Sequence, residues 1–202
     1  MAQALTTQQK AETQLWVDDL FRQLEGIEGK AEIVDGGIFL MSPAGAWHTI
    51  VSTRIGQLIE HYSQATRHGI AVSDNGTFRC VLPHRQSFSP DAAYYVGPPA
   101  RFEPFPIPPV FAVEIRSRDD YGPRAEVRLA DKRHDYFAAG TLVIWDVDLR
   151  SPQVVRVYRS SHPEEPTIYR DNEQAEAEPA LPGWSVRVKD FLPDDWEVEA
   201  SL

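Results

Sequence analysis

At 202 residues, with 42% hydrophobic and 25% charged side chains, the chain has the size and composition of one ordinary globular domain, and global disorder is excluded. No apolar run approaches the roughly 18–20 residues that span a bilayer, so no membrane partner is expected. The net charge of −10 argues less against a nucleic-acid partner than its size suggests, because it is unevenly spread. Residues 161–202 carry 3 basic and 11 acidic side chains, whereas residues 91–160 carry 10 of each and residues 1–90 carry 7 and 9. Between Arg116 and Arg133 six basic residues stand against four acidic ones. Cys80 is the only cysteine, which rules out an internal disulfide and fits a reducing compartment. Residues 1–10 lack the basic-then-apolar layout of a secretory signal, so the expectation is a cytoplasmic protein.

In chain order, Thr7 to Leu24 is predicted as a helix: Leu15, Leu20, Phe21 and Leu24 recur near helical spacing, and Gly26 follows. Asp35-Gly36 between Ala31–Val34 and Ile38–Met41 predicts a tight hairpin, closed by Ser42-Pro43. From Trp47 to Ala65, a stripe of Val51, Ile55, Leu58, Tyr62 and Ala65 predicts a long amphipathic helix. Short strands follow at Ile70–Val72 and Thr77–Leu82, then longer ones at Asp91–Val96 and Val110–Arg116. Six prolines in the twelve residues from Pro98 to Pro109 make the connection between the last two stiff and irregular. A helix over Arg124–Ala139 stops at Gly140, and the apolar run Leu142–Val147 is a buried strand. Val154–Tyr158 and Thr167–Tyr169 form a terminal antiparallel pair, and the polar, acidic stretch Asp171–Pro179 is predicted as a loop.

The chemistry concentrates where these elements meet. A hairpin through the proline-rich segment sets the start of Asp91–Val96 beside the end of Val110–Arg116, bringing Asp91 and Glu114 to one rim of a sheet. Strand periodicity puts Glu114 on a face with Ala112 and Arg116. Carboxylates in such apolar surroundings need partners, and Mg²⁺ takes oxygen ligands, often one or two carboxylates plus substrate phosphate. On the following helix, Leu129, Lys132 and Tyr136 share a stripe, so Lys132 is expected to point inward, where it can orient or deprotonate a water or stabilise charge on a phosphate.

Ser89-Pro90-Asp91, then Val113-Glu114-Ile115-Arg116-Ser117, then Asp131-Lys132 with Tyr136 and Gly140, resemble the Uma (Uma-two) family of restriction-endonuclease-like proteins in the PD-(D/E)XK nuclease superfamily. The resemblance runs from Glu32-Ile33-Val34-Asp35-Gly36, through Ser42-Pro43 and His48, to Trp145-Asp146 and Leu181-Pro182-Gly183-Trp184. It implies an α/β, restriction-endonuclease-like fold: a mixed central sheet flanked by helices, with additional antiparallel strands. Residues 30–192 would form the nuclease domain, with 1–29 a helix of the same domain and 193–202 a tail. It further implies Asp91 and Glu114 as ligands of Mg²⁺ or Mn²⁺, Lys132 as the catalytic lysine, and DNA as the substrate of an endonuclease. Arg116 stands two residues after Glu114, where the superfamily places lysine. It keeps its proton, so it suits phosphate contact rather than base catalysis.

Each candidate also has an ordinary structural reading. Asp91 suits a Pro-Asp turn, Glu114 can pair with Arg116 or Arg118, and Lys132 can bridge to Asp131 or Asp135. His48 is either site-adjacent or a satisfied core histidine. Glu32 is either a hairpin surface charge, which the residues favour slightly, or an extra acid near the metal. The function expected is a metal-dependent DNA phosphodiesterase, working as a homodimer because two strands must be cut. The alternative is a catalytically silent module of the same fold that binds nucleic acid or protein.

Overall fold

The structure, a computed structural model, describes residues 7–197, and their side chains from residue 15 onward. Helix α1 (Thr7–Glu25) leads into a hairpin of β1 (Ala31–Val34) and β2 (Gly37–Leu40). The turn falls on Asp35-Gly36, with φ of 49° and 71°, the left-handed pair that a two-residue hairpin requires. A side chain at Gly36 would also collide with Trp16, its Cβ lying 2.5 Å from the indole. Leu20 and Phe21 of α1 close over Ile33 as a small core of their own.

Helix α2 (Ala46–Thr66) buries Val51, Ser52, Ile55, Gly56, Ile59 and Ser63. The expected stripe is therefore rotated: Ile59 replaces Leu58 at its centre, Tyr62 sits at its edge, and Ala65 is exposed. The sheet beneath accepts two adjacent helical rows, including the small Ser52 and Gly56.

Six strands form the central sheet in the order β10-β9-β8-β7-β6-β3: His162–Tyr169, Val155–Arg159, Val143–Val147, Phe111–Ile115, Ala92–Tyr95 and Ile70–Ser73. Only β7 and β8 run parallel, and helix α3 (Pro123–Ala139) makes the crossover between them. Gly140, at φ 111°, ends α3. The sheet is mixed and helix-flanked, with small antiparallel pairs added around it.

The two faces of this sheet have different partners. One face carries Phe111, Val113, Ile115, Val143, Trp145 and Val147, packed against α2 and the C-terminal segment. The other carries Ala93, Tyr95, Ala112 and Ile144, packed against Tyr136 of α3 and against Phe78, Cys80 and Phe88. Phe88 and Tyr136 stack with ring centroids 3.9 Å apart.

Three expectations fail here. Thr77–Leu82 is a strand only at β4 (Phe78–Arg79), paired with an unforeseen β5 (Ser87–Phe88). The terminal strand β10 begins at His162 rather than Thr167. The acidic stretch Asp171–Pro179 is not a loop throughout: β11 (Gln174–Glu176) pairs with β12 (Ser185–Arg187), and Ala175 and Ala177 are fully buried. Alternation explains it. The acids point outward while the intervening alanines pack on the sheet beside Trp145, whose indole donates to the Glu176 carbonyl at 3.0 Å.

Candidate active site

The antiparallel register of β6 and β7 pairs Ala92 with Val113. The next residues along, Asp91 and Glu114, therefore stand opposite each other on the alternate face, the face covered by α3. Asp91 lies just outside β6 yet continues the ladder, its N–H donating to the Val113 carbonyl at 2.9 Å. Its side chain turns back on the same strand, Oδ2 accepting the Ile115 N–H at 2.7 Å.

Lys132 points inward from α3 as its helical position requires. Its ammonium lies 2.9 Å from Glu114 Oε2 and 2.9 Å from Glu32 Oε1. Tyr136, one turn further on, donates its hydroxyl to Glu114 Oε1 at 2.6 Å. The structure thus brings Asp91, Glu114 and Lys132 to one end of one face.

Glu32 corrects the sequence reading that favoured a surface charge: it is buried, at 4% exposure. Besides Lys132, it accepts the Ser89 N–H at 3.0 Å and the Arg85 guanidinium at 2.6 Å. Arg85 in turn forks onto Asp135 at 2.7 Å. His48, in the first turn of α2, reaches Asp91 Oδ2 with Nε2 at 3.2 Å. Arg116 behaves differently. Its guanidinium is held by Asp146 at 2.7 and 2.8 Å and by Glu126 at 2.5 and 3.1 Å, which leaves the phosphate contact expected of it without a free edge.

Two site residues escaped the sequence reading. Lys30, immediately before β1, donates to Asp91 Oδ1 at 2.5 Å and to Asp74 Oδ1 at 2.7 Å. Arg85, in the short link before β5, holds Glu32. Neither lies in a periodic element, so only their positive charge among carboxylates marks them.

These neighbours set the protonation states. Burial alone would raise Asp91, but the His48 hydrogen bond and the Lys30 charge hold it well below the usual carboxylate range. Glu32, also penalised by burial, is kept low by Lys132 and Arg85. Burial pushes Glu114 above its ordinary value; Lys132 pulls it down, and the charges of Asp91 and Glu32 push it up again. For Lys132, burial favours the neutral amine, yet Glu114 and Glu32 outweigh it and hold the ammonium well above its ordinary pKa.

The donor set fits a hard divalent cation. Buried Asp91 and half-buried Glu114 share one rim, and burial together with the charges of Asp91 and Glu32 holds Glu114 above its ordinary value in spite of Lys132. Among the described residues no cluster of three His, Cys, Asp or Glu is arranged around a metal position, so an ion here would keep several waters.

The chain can now be set beside other proteins. A solved structure of a "putative nuclease belonging to DUF820" from Anabaena variabilis superposes with a TM-score of 0.65 at 18% identity, over 85% of this chain and 96% of the other. At that identity the likeness speaks for the fold. No curated relative matches the sequence. The Uma2 family, described as "Putative restriction endonuclease", matches residues 17–189. The match spans the rim carboxylates, the lysine helix and the β11–β12 pair, and the chain belongs to the Uma2 family.

Proposed function

We propose that this protein is a metal-dependent phosphodiesterase acting on DNA, an endonuclease that hydrolyses the backbone with water. The observation that carries the proposal is the convergence of Asp91, Glu114 and Lys132 at one end of the α3 face. The nuclease descriptions of the family and of the Anabaena variabilis protein support the same reading. Asp91 and Glu114 would hold Mg²⁺ or Mn²⁺, which when bound supplies Lewis-acid polarisation of the phosphate and a more acidic water. Lys132, kept as an ammonium by its carboxylates, donates to a phosphate oxygen and stabilises the charge that develops there, rather than taking a proton from water. Glu32 and Arg85 fix the lysine's position, and His48 keeps Asp91 ionised. Residues 30–192 form the nuclease domain in this reading, and a two-fold homodimer in the cytoplasm would cut both strands.

The silent-module alternative has one observation in its favour. Lys30 pairs with Asp91 at 2.5 Å and Lys132 with Glu114 at 2.9 Å, an arrangement that stabilises the fold without any ion. Calorimetric titration with Mn²⁺, run beside cleavage of supercoiled plasmid, separates the two. Wild type is expected to bind Mn²⁺ and nick plasmid, and Asp91→Ala to lose both while remaining folded. A wild-type protein that binds Mn²⁺ without cutting any DNA sends the conclusion to the silent module.

A further inference from the structure

Lys30 sits at the mouth of the site and belongs to none of the motifs that mark it. Its ammonium bridges two carboxylates of unlike character. Asp91 has a side chain only 6% exposed, whereas Asp74, on the turn after β3, is 42% exposed. The two oxygens of Asp91 are also unlike. Oδ2 is turned onto the Ile115 N–H and His48, so Oδ1 is the oxygen offered to a cation, and Lys30 holds it.

We propose that Lys30 is an internal counter-ion that holds Asp91 Oδ1 until a divalent cation takes that oxygen, and that it then passes to Asp74. Lys30 thereby sets the protein's cation affinity and ends as a second ammonium at the mouth of the site, beside Lys132. The proposal rests on Asp91 being a metal ligand. The ion pairs support it: Asp91 is met by Lys30, whereas Glu32 and Glu114 share Lys132 and Glu32 also holds Arg85. A dication that takes Asp91 Oδ1 must displace the ammonium already on that oxygen. Lys132 and Arg85 are each clamped by two carboxylates of the buried network. Of the three, Lys30 has its second carboxylate half in solvent and already within 2.7 Å, so it can leave Asp91 and still keep an ion pair. Lysine suits the task, because a point charge on a flexible stem releases one carboxylate for another where a guanidinium fork would not.

A cation that must first evict a lysine binds more weakly by the fraction of time its oxygen is free. Mn²⁺ calorimetry on the full chain measures this. Lys30→Gln is expected to bind Mn²⁺ tighter than wild type by roughly tenfold or more. Asp74→Asn is expected to weaken binding while Lys30 is present, and to change it much less in the Lys30→Gln background. If Lys30→Gln binds no tighter than wild type while Asp91→Ala abolishes binding, the counter-ion proposal falls and the metal-site reading stands. If neither wild type nor Lys30→Gln binds Mn²⁺, both fall. Should circular dichroism show Lys30→Gln unfolded, Lys30→Arg decides: its fork grips both carboxylates and should weaken Mn²⁺ binding, and an unchanged affinity overturns the proposal.

Discussion

Glu114 on β7 and Arg116 just past its end stand two residues apart and project from the same face under α3, yet they anchor opposite kinds of ionic cluster. At Arg116 the guanidinium meets Asp146 through two hydrogen bonds and Glu126 through two more, and every charge has a fixed partner. At Glu114 the partners are a lysine and a tyrosine hydroxyl, and the lysine is shared with Glu32. Fork-to-carboxylate pairing matches geometry as well as charge and leaves nothing to exchange. Ammonium ions are compact point charges that can be moved or shared. The end of β7 therefore carries a fork-locked cluster that holds β7, β8 and α3 together, and beside it one built on an ammonium shared between two carboxylates.

The sharpest break of that contrast is at the locked cluster. Arg116→Met should leave Asp146 buried and without its fork, at a cost of about 3–5 kcal/mol in denaturant unfolding, the usual range for halving a buried pair. Lys at position 116 should recover only part of this, because it supplies one charge without the planar fork. A small loss in Arg116→Met would mean that Arg133, 3.6 Å from Asp146, suffices alone.

At the Lys132 cluster the large effect should be on rate. Lys132→Ala is expected to slow plasmid cleavage by roughly 10²-fold, the usual scale for one charge-stabilising donor, while Mn²⁺ affinity is nearly kept. Lys132→Arg should rescue little, since a guanidinium does not fit the gap between Glu32 and Glu114 that an ammonium bridges at 2.9 Å on each side. Full rescue by arginine would make Lys132 a structural cation of the Arg116 kind.

The smallest effect should come from Glu126, the outer, half-exposed partner of Arg116. The Arg116 hydrogen bonds hold its carboxyl below the ordinary value, against the opposing effect of burial. Its folded pKa is therefore lower than its unfolded one. The stability it contributes is present above the ordinary glutamate value of about 4.3 and is lost as pH falls through the lower folded value. Glu126→Gln should thus be slightly less stable than wild type near neutral pH, by no more than about 1 kcal/mol, and the gap should close on acidification. A gap that stays constant down to acid would place the contribution outside the carboxylate's charge.

Much of this was legible in the chain because the interactions are local. The Asp35-Gly36 turn, the strands around Asp91 and Glu114, and the inward stripe of Lys132 and Tyr136 each follow from spacing within one element or one hairpin. Asp91 and Glu114 are joined by a single proline-rich connection, so strand alternation alone sets them opposite each other. Periodicity could also place Arg116 on the right face, although it could not show that Asp146 and Glu126 would occupy it.

What spacing could not give lies across long sequence separations. Lys30 reaches Asp91 over 61 residues and Arg85 reaches Glu32 over 53, through segments with no period of their own. The first hairpin reads as a surface element until the bridge from Val34 to Arg85 docks it against the rim, which turns Glu32 from a surface charge into a buried clamp on Lys132. The acidic tail deceives in the same way: charge density made Asp171–Pro179 a loop, and only the apolar face beside Trp145 selects its alanines as a strand. The sequence by itself determined the long helices, the strands that carry the site and which carboxylates share an edge, because those depend on near neighbours. Tertiary structure alone decided which cations meet those carboxylates, because a charge buried away from water takes whichever partner the packing brings within reach.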